Sequence, residues 1–204
     1  DRILLLAPKK LRDNWTVYQQ NDIYNILSED RLNYDVLNHT DLSRDKGKSG
    51  DINLETINWG NYDLVVIDES HNFRNNPNRR EGMTRYKRLM NDVIKSNIRT
   101  KVLMLSATPV NNKMNDLKNQ ISFITEGEDQ YFSSFGIDSI TQVMRDAQRK
   151  FTSWFRNGDP NNLDVNNLME HLDGSYFRIL DMLTIARSRK HIEKYYDTTD
   201  IGKF

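Results

Sequence analysis

The 204-residue chain contains no cysteine, which excludes disulfides, thiolate metal sites and thiol redox chemistry and fits an intracellular setting. It has no excess of either charge. Its 29 basic and 29 acidic residues cancel, so any surface for a polyanion must be a local patch. No stretch approaches the roughly 18 consecutive apolar residues of a membrane span, and no signal peptide opens the chain. No membrane partner is therefore expected, and the expected location is cytoplasmic. No methionine starts it either: an apolar run begins at the third residue, which reads as a piece cut from something longer. What is present is globular but polar, 37% hydrophobic and 28% charged. The length suits one large domain, or one domain with an appendage, and can bury a proper core.

A phosphate-binding loop is also lacking. Gly47-Lys48-Ser49 matches the last three residues of Gly-x-x-x-x-Gly-Lys-Ser/Thr, but the position of the first glycine is held by Leu42. Such a loop must join a strand directly to a helix, so that backbone N–H groups and the helix dipole face the phosphates. Here the triplet sits among Arg44, Asp45, Lys46 and Asp51 with no strand leading in. It is expected to be a solvated loop.

The most informative stretch is 64–71, Leu-Val-Val-Ile-Asp-Glu-Ser-His. Four branched apolar residues are too few for a helix and suit a strand buried on both faces. The strand runs into Asp68 and Glu69. Ligands of open parallel sheets bind outside the carboxyl ends of the strands. Two acids there suit Mg²⁺ binding and activation of a hydrolytic water. A strand that merely stops at an acidic turn would look the same.

Three more strands are expected at 3–6, 34–37 and 102–105. The first stops at Ala7-Pro8, since proline cannot continue a central strand, and Lys9 and Lys10 follow. Helical spacing suggests a helix over 11–27, with the polar patch Gln19-Gln20-Asn21-Asp22 as the point where it would break, and with Trp15 as a packing anchor against the sheet rather than a base-stacking platform. A short helix is expected over 52–59. Between Arg74 and Lys101 nine basic residues face two acids. Tyr86, Leu89, Met90, Val93 and Ile94 give that segment a buried stripe under a basic outer face. Solvation and contact with phosphates both account for such a face. The buried strand 102–105 ends in Ser106-Ala107-Thr108-Pro109, which places hydroxyls at a second strand end. Helices are expected over 138–155, 163–172 and 176–195. Their aromatic and methionine stripes read as core packing, and Arg187, Arg189, Lys190 and Lys194 as a solvated or DNA-facing edge. His171 and His191 lack the paired spacing of a metal site.

Taken together, these stretches resemble the first motor lobe of superfamily-two helicases, and within them the Swi/Snf-type DNA translocases. Residues 4–15, with their strand, Pro-Lys and Trp, resemble motif Ia. Asp68-Glu69-Ser70-His71, then Phe73-Arg74-Asn75, resembles motif II, the Walker B box. Residues 105–112, with Asp116-Leu117 beyond them, resemble motif III, and residues 39–43 are placed like motif Ib. Residues 177–192 are similar to the segment by which the chain leaves that lobe, although Ala186 stands where the first arginine belongs. Ser106-Ala107-Thr108 replaces a common Thr-Gly-Thr, which leaves the subfamily open.

The resemblance implies an α/β fold: a partial RecA-like parallel sheet flanked by helices, with a C-terminal all-helical extension. The lobe would span 1–126, and the helical protrusion and exit segment 127–204. It implies that Asp68 holds Mg²⁺ through water, that Glu69 orients the attacking water, and that His71 relays the γ-phosphate state to Ser106 and Thr108. Pro8, Lys9, Lys10, His39 and Thr40 would lie along a nucleic-acid backbone, with double-stranded DNA the expected partner. ATP and Mg²⁺ would be the cofactors of the parent protein, and a second motor lobe its other partner. Without a phosphate loop the fragment alone is expected to be inactive. A non-catalytic RecA-like scaffold or nucleic-acid-binding module is the alternative. With the phosphate-loop strand missing from between 64–67 and 102–105, three arrangements are expected: direct pairing of those strands, another segment in the slot, or a truncation-induced homodimer.

Overall fold

The computed structural model describes residues 2–19, 25–75, 83–96, 99–107, 114–157 and 164–186. Its strands are β1 (Ile3–Ala7), β2 (Asp35–Asn38), β3 (Lys48–Ser49), β4 (Ile52–Asn53), β5 (Leu64–Ile67) and β6 (Lys101–Met104). Its helices are α1 (Arg12–Thr16), α2 (Arg85–Arg88), α3 (Met114–Ile124), α4 (Ile140–Asn157), α5 (Val165–His171) and α6 (Gly174–Leu183). The main sheet has four strands in the order β2-β1-β5-β6, and every pair in it is parallel. Beyond β6 the described secondary structure is helical. The fold class is therefore α/β, and this sheet agrees with the partial RecA-like arrangement expected.

The chain divides into two compact units, 1–148 and 149–204, with the boundary inside α4. In the first unit, one face of the sheet presents Leu4, Leu6, Leu37, Val65 and Ile67 to Phe73, Leu89, Val93, Ile94 and Phe123. Each fully buried aliphatic side chain of this kind contributes about 1.5–3 kcal/mol. The opposite face carries a smaller cluster of Leu5, Ala7 and Val36, packed against Trp15, Tyr34 and Val66. In the second unit, Asp164 and Asp173 cap α5 and α6 by accepting from the N–H groups of Asn166 and Ser175 at 2.9 and 2.7 Å. Among the described residues no helix is long and apolar enough to cross a membrane.

Several elements differ from expectation, each for a local reason. Of the helix expected over 11–27, the part up to residue 19 is α1 flanked by 3₁₀ turns at Lys9–Leu11 and Val17–Gln19, and residues 20–24 lie outside the described residues. Ile26 is 85% exposed, so the apolar spacing there does not report a buried stripe. Residues 52–59 are not a helix: Ile52–Asn53 pairs antiparallel with Lys48–Ser49 in a hairpin. Leu64 and Val66 are half-buried while Val65 and Ile67 are buried, so the second face of β5 is only partly covered. β6 is not a buried strand. Its Lys101 and Leu103 are exposed, because it forms an edge of the described sheet. Of the three arrangements expected for β5 and β6, direct pairing is the one found, with Leu64 opposite Lys101 and Ile67 opposite Met104.

The segment after Thr84 begins as α2 and continues through a π-helical stretch, Leu89–Ile94. Its buried stripe is as expected, but its basic face is not wholly outward. Arg88 is 6% exposed. It donates from Nε to the Leu42 carbonyl at 3.0 Å, pairs with Asp45, and lies over the Trp59 ring. Arg79 and Arg80, and the exit-segment residues Arg187, Arg189, Lys190, His191 and Lys194, lie outside the described residues.

Candidate functional site

The site is built on the turn that ends β5. The Asp68 N–H donates to the Leu6 carbonyl of β1 at 2.9 Å, carrying the sheet bonding one residue past the strand. The Ser70 N–H donates to the Leu105 carbonyl just beyond β6, also at 2.9 Å, and the buried Ser70 hydroxyl meets Gln120 Oε1 of α3 at 3.2 Å. Between them Glu69 takes φ 49, the left-handed conformation. That conformation disfavours a residue with a Cβ, and it persists only where surroundings over-determine it. The Glu69 carbonyl accepts from both the main-chain and side-chain N–H groups of Asn72, each at 3.0 Å. Both acids are half-buried at the carboxyl end of a parallel strand.

The Asp68 carboxylate is held at both oxygens. Trp15 Nε1–H donates to Oδ2 at 2.8 Å, and the Glu69 N–H donates to Oδ1 at 2.9 Å. Each carboxylate oxygen has two lone pairs, so both can still accept from outside. Among the described residues no three acidic or histidine side chains converge on one point. A lone, oriented carboxylate fits Mg²⁺, which keeps several waters and uses one or two protein carboxylates plus phosphate oxygens. The donor set therefore suits the ion expected here. Glu69 Oε2 and His71 Nδ1 are 3.0 Å apart, so these two expected site residues are brought together.

His39 reaches the same turn from the chain after β2. It is 4% exposed, so its ring does not lie on the surface where a nucleic-acid backbone would pass. Its Nε2 is 2.9 Å from the Asp68 carbonyl. A carbonyl only accepts, which makes Nε2 the protonated nitrogen of the neutral ring. Phe73 packs edge-on against the imidazole. Burial pushes its pKa down to about 4, opposed by the main-chain acceptors of Asp68 and Leu6 and aided by nearby Arg85. The imidazole is thus a pin beneath Asp68. Thr40, by contrast, is exposed.

The other expected residues fall at adjoining strand ends. Pro8 is half-buried after β1, and Lys9 and Lys10 are exposed in the 3₁₀ turn it opens. Ser106 is half-buried just past β6, beside the turn through the Ser70–Leu105 bond. Thr108 lies outside the described residues.

The Gly47-Lys48-Ser49 triplet is not a phosphate cradle, and it is not simply solvated. Lys48 and Gly50 are exposed, but Ser49 is 4% exposed. Its hydroxyl bonds buried Asp41 and accepts from Arg12 Nη1 at 2.7 Å. Gly50 has φ 60, a conformation that favours glycine, and a Cβ there would lie 2.5 Å from the Arg12 guanidinium, which would have to shift to admit it. Sequence reasoning misses the contacts Trp15–Asp68 and Arg12–Ser49–Asp41, because no local pattern announces pairs so far apart in the chain. The hairpin did leave a sign, since Gly50-Asp51 is a two-residue turn of the Gly-first kind.

No protein-family model matches the chain, and no curated protein matches it significantly.

Proposed function

We propose that these residues carry the water-activating and coupling part of an ATP-dependent nucleic-acid translocase, with double-stranded DNA as its track. The observation that carries this reading is one of placement. Asp68 and Glu69 leave the carboxyl end of β5 inside a parallel sheet. The neighbouring strands deliver Ser106 on one side and Pro8, Lys9 and Lys10 on the other. Open α/β sheets bind and transform ligands at this edge.

In this reading Asp68 holds a hydrated Mg²⁺ ion, and Glu69 orients the water that attacks the γ-phosphate. His71, in contact with Glu69, passes the state of the site towards Ser106 and Thr108. Bound Mg²⁺ supplies neutralisation of the charge that develops on the phosphate oxygens. Lys9 and Lys10 meet backbone phosphates, a contact that is sequence-blind and salt-sensitive. His39 supports Asp68 from below rather than touching nucleic acid. The phosphate loop and the second lobe come from residues other than these 204.

The test is nucleic-acid-stimulated ATP hydrolysis by the natural polypeptide that joins these residues to a phosphate loop. Glu69→Gln is expected to abolish turnover and to leave nucleotide binding intact. Unchanged turnover would remove Glu69 from the reaction. The 204-residue chain alone is expected to show no turnover above background, and specific hydrolysis by it would overturn the division of labour.

A further inference from the structure

We infer that Trp15 is a positioning residue for the Asp68 carboxylate, fixing its orientation towards a hydrated divalent cation. The inference rests on the metal-holding role proposed for Asp68. It begins from what is already fixed without Trp15. The Asp68 main chain is secured by the bond from its N–H to Leu6 and by the His39 ring at its carbonyl. Neither contact governs rotation of the side chain. Of the two donors on the carboxylate, the Glu69 N–H belongs to the adjacent residue of the same turn. The Trp15 indole arrives from 53 residues away and bonds the other oxygen at 2.8 Å. A donor on an ionised acceptor makes one of the stronger and shorter hydrogen bonds.

Packing alone does not explain an indole here. Trp15 packs against the cluster of Leu5, Ala7 and Val36, a task a phenyl ring would also perform. Nor is the bond needed to hold α1 in place. Arg12, on the same helix, reaches Ser49 from Nη1 at 2.7 Å, and Nη2 reaches the Ser49 carbonyl at 3.2 Å. Tyr34 further ties its hydroxyl to the Trp15 carbonyl. The helix is anchored at both ends by contacts that do not involve the indole N–H. What that N–H adds is a fixed carboxylate, the service that outer-shell donors give to metal-holding side chains. Lys9 and Lys10 lie in the turn that leads directly into this helix. The segment that would meet the nucleic-acid backbone is therefore the one that sets the carboxylate.

The experiment uses the 204-residue chain with ¹⁵N label and Mn²⁺ as the probe, read by paramagnetic broadening of the Glu69 and Ser70 amides and the Trp15 indole. Broadening is expected at these groups and is expected to be lost in Asp68→Asn. Trp15→Phe, which keeps a ring and removes the donor, is expected to raise the half-effect Mn²⁺ concentration about tenfold, with the remaining amide spectrum unchanged. If Trp15→Phe leaves the titration unchanged while Asp68→Asn abolishes it, Trp15 only packs, and the role of Asp68 survives. If the unsubstituted chain shows no localised broadening, the metal role of Asp68 falls, and this inference with it. Should Trp15→Phe fail to fold, Mg²⁺ added to the unsubstituted chain decides. The Trp15 indole resonance must move and those of Trp59 and Trp154 must not, and a stationary Trp15 signal would overturn the proposal.

Discussion

Oε2 of Glu69 lies 3.0 Å from Nδ1 of His71, and the carboxylate is presented there by a left-handed backbone, φ 49. The Nδ1 atom is buried and has no well-directed hydrogen bond among the described residues, so the contact is close without being linear. A strained non-glycine residue at such a point suggests selection for its side chain rather than for stability. Glu69→Gly is therefore expected to leave the fold intact or stabilise it by up to about 1 kcal/mol, while Glu69→Val destabilises. Urea midpoints of the three proteins test this. A Glu69→Gly variant clearly less stable than the parent would show that the carboxylate serves the fold.

His39 predicts how stability responds to acid. Its folded pKa is about 4, against about 6.5 in an unfolded chain. Between those values the unfolded state binds more protons, so stability is complete above pH 6.5 and declines as pH falls towards 4. The charged groups acting on the ring are Asp68 and Arg85. The loss over this window is expected to be about 3 kcal/mol. Denaturant unfolding at pH 7 and pH 4.5 should show a larger drop for the parent than for His39→Gln. Equal drops would mean that the ring does not stay neutral in the fold.

The basic residues divide into two kinds that one titration can separate. Lys9 and Lys10 are exposed, whereas Arg88 is buried against Leu42, Asp45 and Trp59. Replacing Lys9 and Lys10 by alanine is expected to leave stability within about 0.5 kcal/mol. It should also lower the slope of log affinity against log salt by about 1 for each phosphate that the lysines neutralise. Arg88→Ala is expected to cost about 2 kcal/mol or more, since it leaves a buried carbonyl without its donor. Fluorescence anisotropy across a salt series, with thermal unfolding alongside, distinguishes them.

Ser49 and Lys48 should also behave oppositely. Ser49→Ala removes the hydroxyl between Asp41 and Arg12, and leaves the buried Asp41 Oδ2 with the Asn38 N–H but without its second donor, a lost hydrogen bond to a charged group worth about 1.5–3 kcal/mol. Lys48→Ala alters only an exposed hairpin position and is expected to change neither stability nor nucleotide binding. A nucleotide-binding defect in Lys48→Ala would return the triplet to the phosphate loops.

The sequence made legible those features whose causes are local. The apolar run before Asp68 and the one stopped by Pro8 became β5 and β1. The spacing of Leu89, Val93 and Ile94 gave a buried stripe. Exposure of Leu103 was not legible, because a strand's own residues do not say whether it has one neighbour or two. Nor was the burial of Arg88: its partners Leu42, Asp45 and Trp59 lie on other segments, and composition alone made it part of a basic surface. The same holds for His39, whose ring is covered by a fold that brings residues 6, 68 and 73 around it. In the candidate site, Asp68, Glu69 and His71 stood out as a cluster in sequence. Trp15, which touches the first of them, could only emerge from the assembled sheet.

The acidic turn is restrained by Leu6, His39, Leu105 and Gln120, and this has a consequence for the order of folding. Its restraints come from both sides in sequence and span much of the first unit, and among the described residues the main sheet contains no hairpin that forms locally. Loop closure must precede every one of these contacts, and parallel pairings are slow for that reason. The β3–β4 hairpin, closed by two residues, can form within microseconds. A left-handed Glu69 has no such support until all the strands of the main sheet have met. The geometry on which the chemistry depends is thus among the last to appear as the chain folds. It should be among the first to vanish when the edge strand β6 frays.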